Sequence, residues 1–168
     1  MSSIRYDLFL LRNLYLKVTM KWKHVKKFNS LTASDIYKIL KLRQDIFIIE
    51  QDCIYEDIDN LDKFSEHLML FDGETLAAYS RIVSPGKKFE DYSIGRIIVE
   101  KEYRGKNLGR EIVKKSLSIL KERNTDIVRI EAQEYLLDFY TSLGFQAISD
   151  SYPVDGIPHI EMKIRLLN

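Results

Sequence analysis

The chain of 168 residues has one cysteine, one tryptophan, three prolines and seven glycines. A lone Cys53 excludes an internal disulfide and fits a reducing compartment, and no clustered Cys/His pattern points to a metal. Proline and glycine are too sparse for a linker, and neither a repeat nor a low-complexity tract is present. No apolar run is long enough to span a bilayer. Leu8-Phe9-Leu10-Leu11 is apolar, but Asp7 and Arg12 bracket it and no small-residue cleavage site follows, so it makes a poor signal peptide. The formal net charge of +1 gives no global case for nucleic acid or a membrane surface. These absences leave a cytoplasmic protein of one domain, long enough to bury a real core.

What charge there is lies unevenly. Residues 1–28 carry seven basic residues and one acidic one, so the rest of the chain is net negative. Its acidic centre is 50–66, where Glu50, Asp52, Glu56, Asp57, Asp59, Asp62 and Glu66 face Lys63 alone. Such a segment suits a cationic amine through long-range attraction, or is a solvated surface loop.

Patterning gives alternating elements. Residues 22–28 form a short strand. Thr32 and Asp35 begin a helix with a capping box, which runs to about Phe47 with Ile36, Ile39, Leu40 and Phe47 near one face. His67 to Phe71 and Thr75 to Val83 are strands flanking the hairpin signal Asp72-Gly73. Ser93 to Val99 is a strand, and Leu108, Ile112, Leu117, Ile119 and Leu120 mark a helix to about Arg123. Asp126 to Ala132 is the next strand. Tyr135 to Leu143 is a short helix stopped by Gly144. Ile160, Met162, Ile164 and Leu166 alternate with polar residues as a half-exposed strand. The strand–helix–strand unit over 93–132 implies one parallel pair inside a mostly antiparallel sheet. The fold class is therefore α/β in the α+β sense: one mixed sheet, a central parallel pair, and flanking helices.

The most specific stretch is Arg104-Gly105-Lys106-Asn107-Leu108-Gly109, a basic glycine-containing turn between a β-branched strand and a helix start. Free N–H groups and the helix dipole make such a turn an anion cradle. It is neither a P-loop nor a dinucleotide fingerprint. It resembles the pyrophosphate loop of the GNAT acyltransferases, [RQ]-x-x-G-x-[GA], with Asn107 in place of the first glycine. Asn is the residue other than glycine best able to adopt a left-handed backbone. Phe139-Tyr140-Thr141-Ser142-Leu143-Gly144-Phe145 resembles the family's later Y-x-x-L-G-F segment. Leu42-Arg43-Gln44-Asp45-Ile46-Phe47 and Glu50-Gln51-Asp52-Cys53-Ile54-Tyr55 resemble the ElaA-like branch, as do Asp59-x-x-Asp62, Tyr79-Ser80-Arg81, Ala132-Gln133 and Asp155-Gly156-Ile157-Pro158-His159. The likeness starts near Met20. Met20 is the expected true start, with 1–19 an extension outside an N-acetyltransferase domain over 20–168.

The resemblance implies an acetyl-CoA-dependent N-acetyltransferase acting on a primary amine, as a monomer or homodimer, with no nucleic acid or membrane partner. Ile97, Ile98, Val99, Arg104, Gly105, Lys106, Asn107, Leu108, Gly109, Arg110 and Tyr140 would bind the acetyl-CoA. A backbone N–H of Ile98 or Val99 would meet the developing oxyanion, and Tyr140 would protonate the departing thiolate. The base is open among Glu50, Glu66, His67 and His159. Arg43, Arg81 and Arg96 lie in or beside apolar patterns and need partners, for which Asp59 and Asp62 are natural. Two rival readings are an acyl-homoserine-lactone-synthase-like enzyme and a module that binds acyl-CoA without turnover.

Overall fold

The computed structural model describes residues 20–167, so the expected extension over 1–19 falls outside it. The chain runs β1 (Met20–Val25), α1 (Ala33–Arg43), β2 (Ser65–Asp72), β3 (Thr75–Val83), β4 (Tyr92–Val99), α2 (Leu108–Lys121), β5 (Ile127–Gln133), α3 (Leu137–Thr141), β6 (Gln146–Ala147), β7 (Tyr152–Val154) and β8 (Ile157–Arg165). One sheet has the order β1-β2-β3-β4-β5-β8-β6, with β7 pairing β8. Every pairing is antiparallel except β4 with β5. The mixed sheet with one central parallel pair is the architecture that the patterning implies.

Local chemistry explains most of the elements. The Thr32 hydroxyl accepts from the Asp35 N–H at 3.1 Å, and the Asp35 carboxylate accepts from the Thr32 N–H at 2.8 Å. That box contributes about 1 kcal/mol to the start of α1. Lys23 on β1 reaches the same carboxylate at 2.7 Å and ties the helix to the sheet edge. The chain does not leave the helix near Phe47 as expected. It widens into a π-helix over Gln44–Glu50, with the Gln51 N–H bonding the Ile46 carbonyl five residues back. The β2–β3 turn is Gly73-Glu74, one residue later than Asp72-Gly73, because Asp72 still pairs with Thr75 and Gly73 takes the positive φ. The short strands β6 and β7 carry no periodic signal of their own.

The core lies on both faces of the sheet. α2 packs Ile112, Val113 and Leu120 against Leu70, Ile82, Ile94 and Ile130. α1 packs Ile39 and Leu42 on the other face, against Met69, Tyr79 and Ile98. β3 is therefore buried without a break from Leu76 to Val83, the polar Ser80 and Arg81 included, rather than alternating between buried and exposed.

The α1 face also holds charge. Arg43, fully buried, donates from Nε to Asp57 at 2.8 Å, from Nη1 to Asp62 at 2.8 Å and from Nη2 to the Asp57 carbonyl at 2.5 Å. Arg81 donates to Asp59 at 2.6 and 2.7 Å and to Asp62 at 3.1 Å. Arg96 completes the set against Asp57 at 2.7 Å and Asp59 at 3.3 Å. The expected pairing of Arg43 and Arg81 with Asp59 and Asp62 is present, with Asp57 as a third carboxylate. Three guanidiniums thus meet three carboxylates, and each charge would be costly to bury alone.

Truncating one partner exposes that cost. Arg43→Ala leaves Asp57 and Asp62 short of their counter-ion and should lower stability by about 3–5 kcal/mol, read from urea unfolding at neutral pH.

Acid should act on the same cluster. Burial pushes the Asp59 carboxyl up, but the Arg81 and Arg96 guanidiniums outweigh it and hold it down to about 2, below its ordinary 3.8. A group whose folded value is depressed stabilises fully above its unfolded value and loses that contribution as pH falls toward the folded one. The urea midpoint should fall as pH drops from 3.8 toward about 2, and less steeply in Asp59→Asn.

Candidate active site

β4 and β5 are hydrogen-bonded neighbours for only two residue pairs, Tyr92 with Val128 and Ser93 with Arg129. Beyond them the strands part, and the gap opens into a cavity of about 280 Å³. The parting coincides with a bulge. Ile94 and Gly95 pair with Ile82 and Arg81, and Ile98 and Val99 with Tyr79 and Ala78, so Arg96 and Ile97 together face Ser80. Arg96 takes φ +51°, rare for an arginine. Its guanidinium is held by Asp57 and Asp59 and lies 5.7 Å from the ring centres of both Phe47 and Tyr55. The sequence carried one signal of the bulge, a glycine inside a strand at Gly95.

Strand alternation fixes which amides face the gap. The Glu100 N–H donates to the Ala77 carbonyl on β3 at 2.9 Å. Counting back, the Ile98 N–H also turns to β3 and the Val99 N–H turns to the cleft. Of the two expected oxyanion donors, Val99 has the fitting direction. Ile98 is buried in the α1-side core, and Ile97 lines the cavity.

The anion cradle follows directly. Gly105 and Asn107 both have left-handed φ, +73° and +65°, so asparagine takes the conformation that a glycine would. Asn107 then caps α2, and its carbonyl accepts from the N–H groups of Arg110 and Glu111. The five N–H groups of Gly105, Lys106, Asn107, Leu108 and Gly109 meet no acceptor among the described residues. The flanking cations are engaged. Arg104 donates to both carboxylate oxygens of Glu50, at 2.7 and 3.1 Å, and from Nε to the Val99 carbonyl at 3.2 Å. Arg110 holds Ser142 at 2.7 Å, and the Lys106 ammonium lies 4.6 Å from the Tyr103 ring centre. A Cβ at Gly109 would meet only Phe139 at 3.7 Å and Val99 at 3.8 Å, ordinary contacts, so the protein alone does not require glycine there.

Tyr140 lies on α3 with its ring edge-on to Phe139 and Phe145, at 5.0 and 5.9 Å between centres. It is 6% exposed and lines the cavity, and its hydroxyl bonds no partner among the described residues. Burial raises its pKa well above the ordinary tyrosine value and keeps the phenol protonated, the state that an acid requires.

The four candidate bases separate cleanly. His67 is buried between the Tyr79 hydroxyl at 2.8 Å and the Asp62 carbonyl at 3.1 Å; burial lowers its pKa, and its role is structural. Glu66 is taken up by Arg123 and by His24 at 2.7 Å, away from the cavity. Glu50 stands at the cradle, paired with Arg104, and does not line the cavity. His159 does line it, and its Nδ1 lies 2.8 Å from the Ile157 carbonyl. A carbonyl only accepts, so Nδ1 carries a proton, and in the neutral ring the lone pair is on Nε2. The geometry thus brings His159 and Tyr140 to one cavity and leaves Glu50 outside it.

Over that cavity the 51–56 segment forms a roof. Gln51 and Gln133 bond each other through their amides at 3.0 and 3.4 Å, and Cys53 Sγ lies 3.5 Å from the Asp155 carbonyl on the β7–β8 turn. Nothing in the sequence signals that Gln51 and Tyr55 line the cavity, since they lie in the irregular stretch that follows the π-helix. Cys53 Sγ bonds no histidine among the described residues, whereas a nucleophile would need one as its base.

Residues 42–166 match the family described as "Acetyltransferase (GNAT) domain". Protein ElaA of Escherichia coli is 36% identical over 137 residues, covering 80% of this chain and 90% of that protein. The crystal structure of E. coli ElaA superposes with a TM-score of 0.79 at 33% identity, over 86% of this chain and 99% of that one. A crystal structure of an acyl-CoA N-acyltransferase from Pseudomonas aeruginosa gives 0.81 at 32% identity with the same coverage. The UPF0039 protein sll0451 of Synechocystis sp. is 35% identical over 154 residues, covering 90% of this chain and 97% of that protein. With that family match and relatives at 35 and 36% identity, the chain belongs to the GNAT acetyltransferase family and is an acyltransferase with ElaA among its homologues.

Proposed function

We propose that the protein transfers an acetyl group from acetyl-CoA directly to a primary amine. The observation that carries this reading is the row of five unpartnered amides from Gly105 to Gly109 at the mouth of the parted β4–β5 pair. Five amides at a helix start suit a pyrophosphate, and the parted strands leave backbone groups free to pair with an extended, amide-containing arm.

The steps follow from the residues in place. The amine nitrogen, stripped of its extra proton by His159 Nε2 directly or through water, attacks the thioester carbon. The Val99 N–H meets the charge that develops on the carbonyl oxygen. The C–S bond breaks, the thiolate takes the Tyr140 proton, and the second proton shed by the acylated nitrogen passes through water to restore the tyrosine. Arg104 exchanges its Glu50 partner for phosphate, so Glu50 serves the donor site and is not the base. No helix of the described residues is long and apolar enough to cross a membrane. With one cysteine in the chain, the reading favours the cytoplasm, with neither nucleic acid nor membrane as partner.

Donor binding is tested by thermal shift with acetyl-CoA, free CoA and S-adenosylmethionine. A ligand at about 100 times its dissociation constant adds roughly 2.7 kcal/mol, which at about 2–4 °C per kcal/mol for this size moves the midpoint by roughly 5–11 °C. Both CoA species should shift the wild type and S-adenosylmethionine should not. Gly109→Asp should keep its fold and lose the shift, because a carboxylate then faces the phosphates; a full shift in that variant would undo the cradle assignment.

Tyr140→Phe keeps the ring packing and removes the proton. Turnover measured by released thiol should fall by about 10²-fold or more, with acetyl-CoA affinity nearly kept. Unchanged turnover would refute the acid role.

A further inference from the structure

Gly95 has no evident reason to be glycine as far as the protein alone is concerned. It lies on β4 opposite Arg81, its φ is outside the left-handed region, and a Cβ built on it meets no heavy atom within 4 Å. Glycine inside a strand weakens it and gives no side chain to pack, so such a residue needs another explanation. Gly95 lines the cavity. What its missing side chain leaves is space on the cavity floor, on the sheet face that the 51–56 segment covers.

The walls around that space have a definite chemistry. Phe47, Tyr55, Phe89, Val154 and Ile157 supply apolar surface. The cations facing it are already matched in charge: Arg81 and Arg96 by Asp57, Asp59 and Asp62, and Lys88 by Glu131 at 2.5 Å. Nε of Arg81 and of Arg96 donates no hydrogen bond among the described residues. Glu56 and Asp155, both exposed at the rim, form no ion pair among the described residues. The cavity therefore offers spare carboxylates to an ammonium group and no spare cation to a carboxylate.

We propose that Gly95 is the floor on which the acceptor's body rests and the residue that limits its size, and that the acceptor is a small primary amine with a hydrocarbon body and no carboxylate. The inference rests on the acetyltransferase reading above. The ammonium enters past Glu56 and Asp155, gives up a proton to His159, and the hydrocarbon part lies over Gly95 beneath Tyr55.

The test compares 2-phenylethylamine with phenylalanine, which adds a carboxylate to the same body, in the wild type, Gly95→Ala and Gly95→Val. Acetyl-CoA thermal shift is recorded for each. The wild type should prefer 2-phenylethylamine by roughly tenfold or more in kcat/KM. Gly95→Ala should raise the KM for that amine severalfold, and Gly95→Val should abolish its turnover. Both variants should melt no lower than the wild type and keep the full acetyl-CoA shift, which a merely structural glycine would not allow. Equal use of phenylalanine overturns the acceptor class. A wild-type KM in Gly95→Val overturns the floor. A wild type that acetyl-CoA stabilises but that acetylates neither amine overturns this inference and leaves the donor assignment standing, whereas no acetyl-CoA shift at all overturns both.

Discussion

Beneath the 57–62 segment, Arg43, Arg81 and Arg96 share Asp57, Asp59 and Asp62. The six groups come from the end of α1, from β3, from β4 and from the acidic segment. Everything on the α1 face of the sheet is placed relative to them. Arg43 anchors the helix where it widens into the π-helix. Arg81 holds the middle of β3. Arg96 is kept in a left-handed backbone that an isolated arginine would avoid at a cost of order 1–3 kcal/mol. That backbone is part of the bulge, the bulge turns β4 away from β5, and the parting of the strands makes the cleft. Electrostatics under the roof and the shape of the site are thus one problem with one solution.

The cluster also separates the charges that hold the fold from those free to act. Within it positive and negative charges cancel in number, and Arg43 and Arg81 are each held by several hydrogen bonds of 2.5–3.1 Å, Arg96 by looser ones of 3.2 and 3.3 Å. At the cradle the balance is looser. Arg104 and Glu50 are both partly exposed, and a surface pair of this kind is worth at most about 1 kcal/mol. On the proposed reading, a dianionic pyrophosphate would therefore take Arg104 from Glu50 at small cost, which it could not do with Arg43 or Arg81.

Much of this was legible in the sequence wherever a local rule fixes a residue type. Gly105 and Asn107 announce left-handed positions, Thr32 and Asp35 announce a capping box, and Gly144 ends its helix with φ +97°. The arginines in apolar patterns announced buried carboxylate partners. What stayed hidden depends on contacts made far along the chain. The π-helix over Gln44–Glu50 has the composition of an ordinary helix, and the irregular stretch after it brings Gln51 and Tyr55 to the cavity. His67, at the start of a strand, could serve as a base in one environment and brace Tyr79 in another, and burial decided for the brace. Glu50 looked poised for an acceptor because it follows α1, yet its partner, Arg104, lies more than fifty residues on.

A sheet normally hides its chemistry, since each strand satisfies its neighbours. Here β4 and β5 pair at one end only, and the amides beyond are left without a strand partner. Such groups would be costly if buried dry. They are tolerable here because the parted strands form an open cleft that solvent can reach. The same argument covers the cradle, whose five amides face outward from the start of α2. Binding capacity in this fold is thus a hydrogen-bonding deficit held open by rigid surroundings: the antiparallel strands on either side, α2 across one face, and the arginine–aspartate cluster on the other.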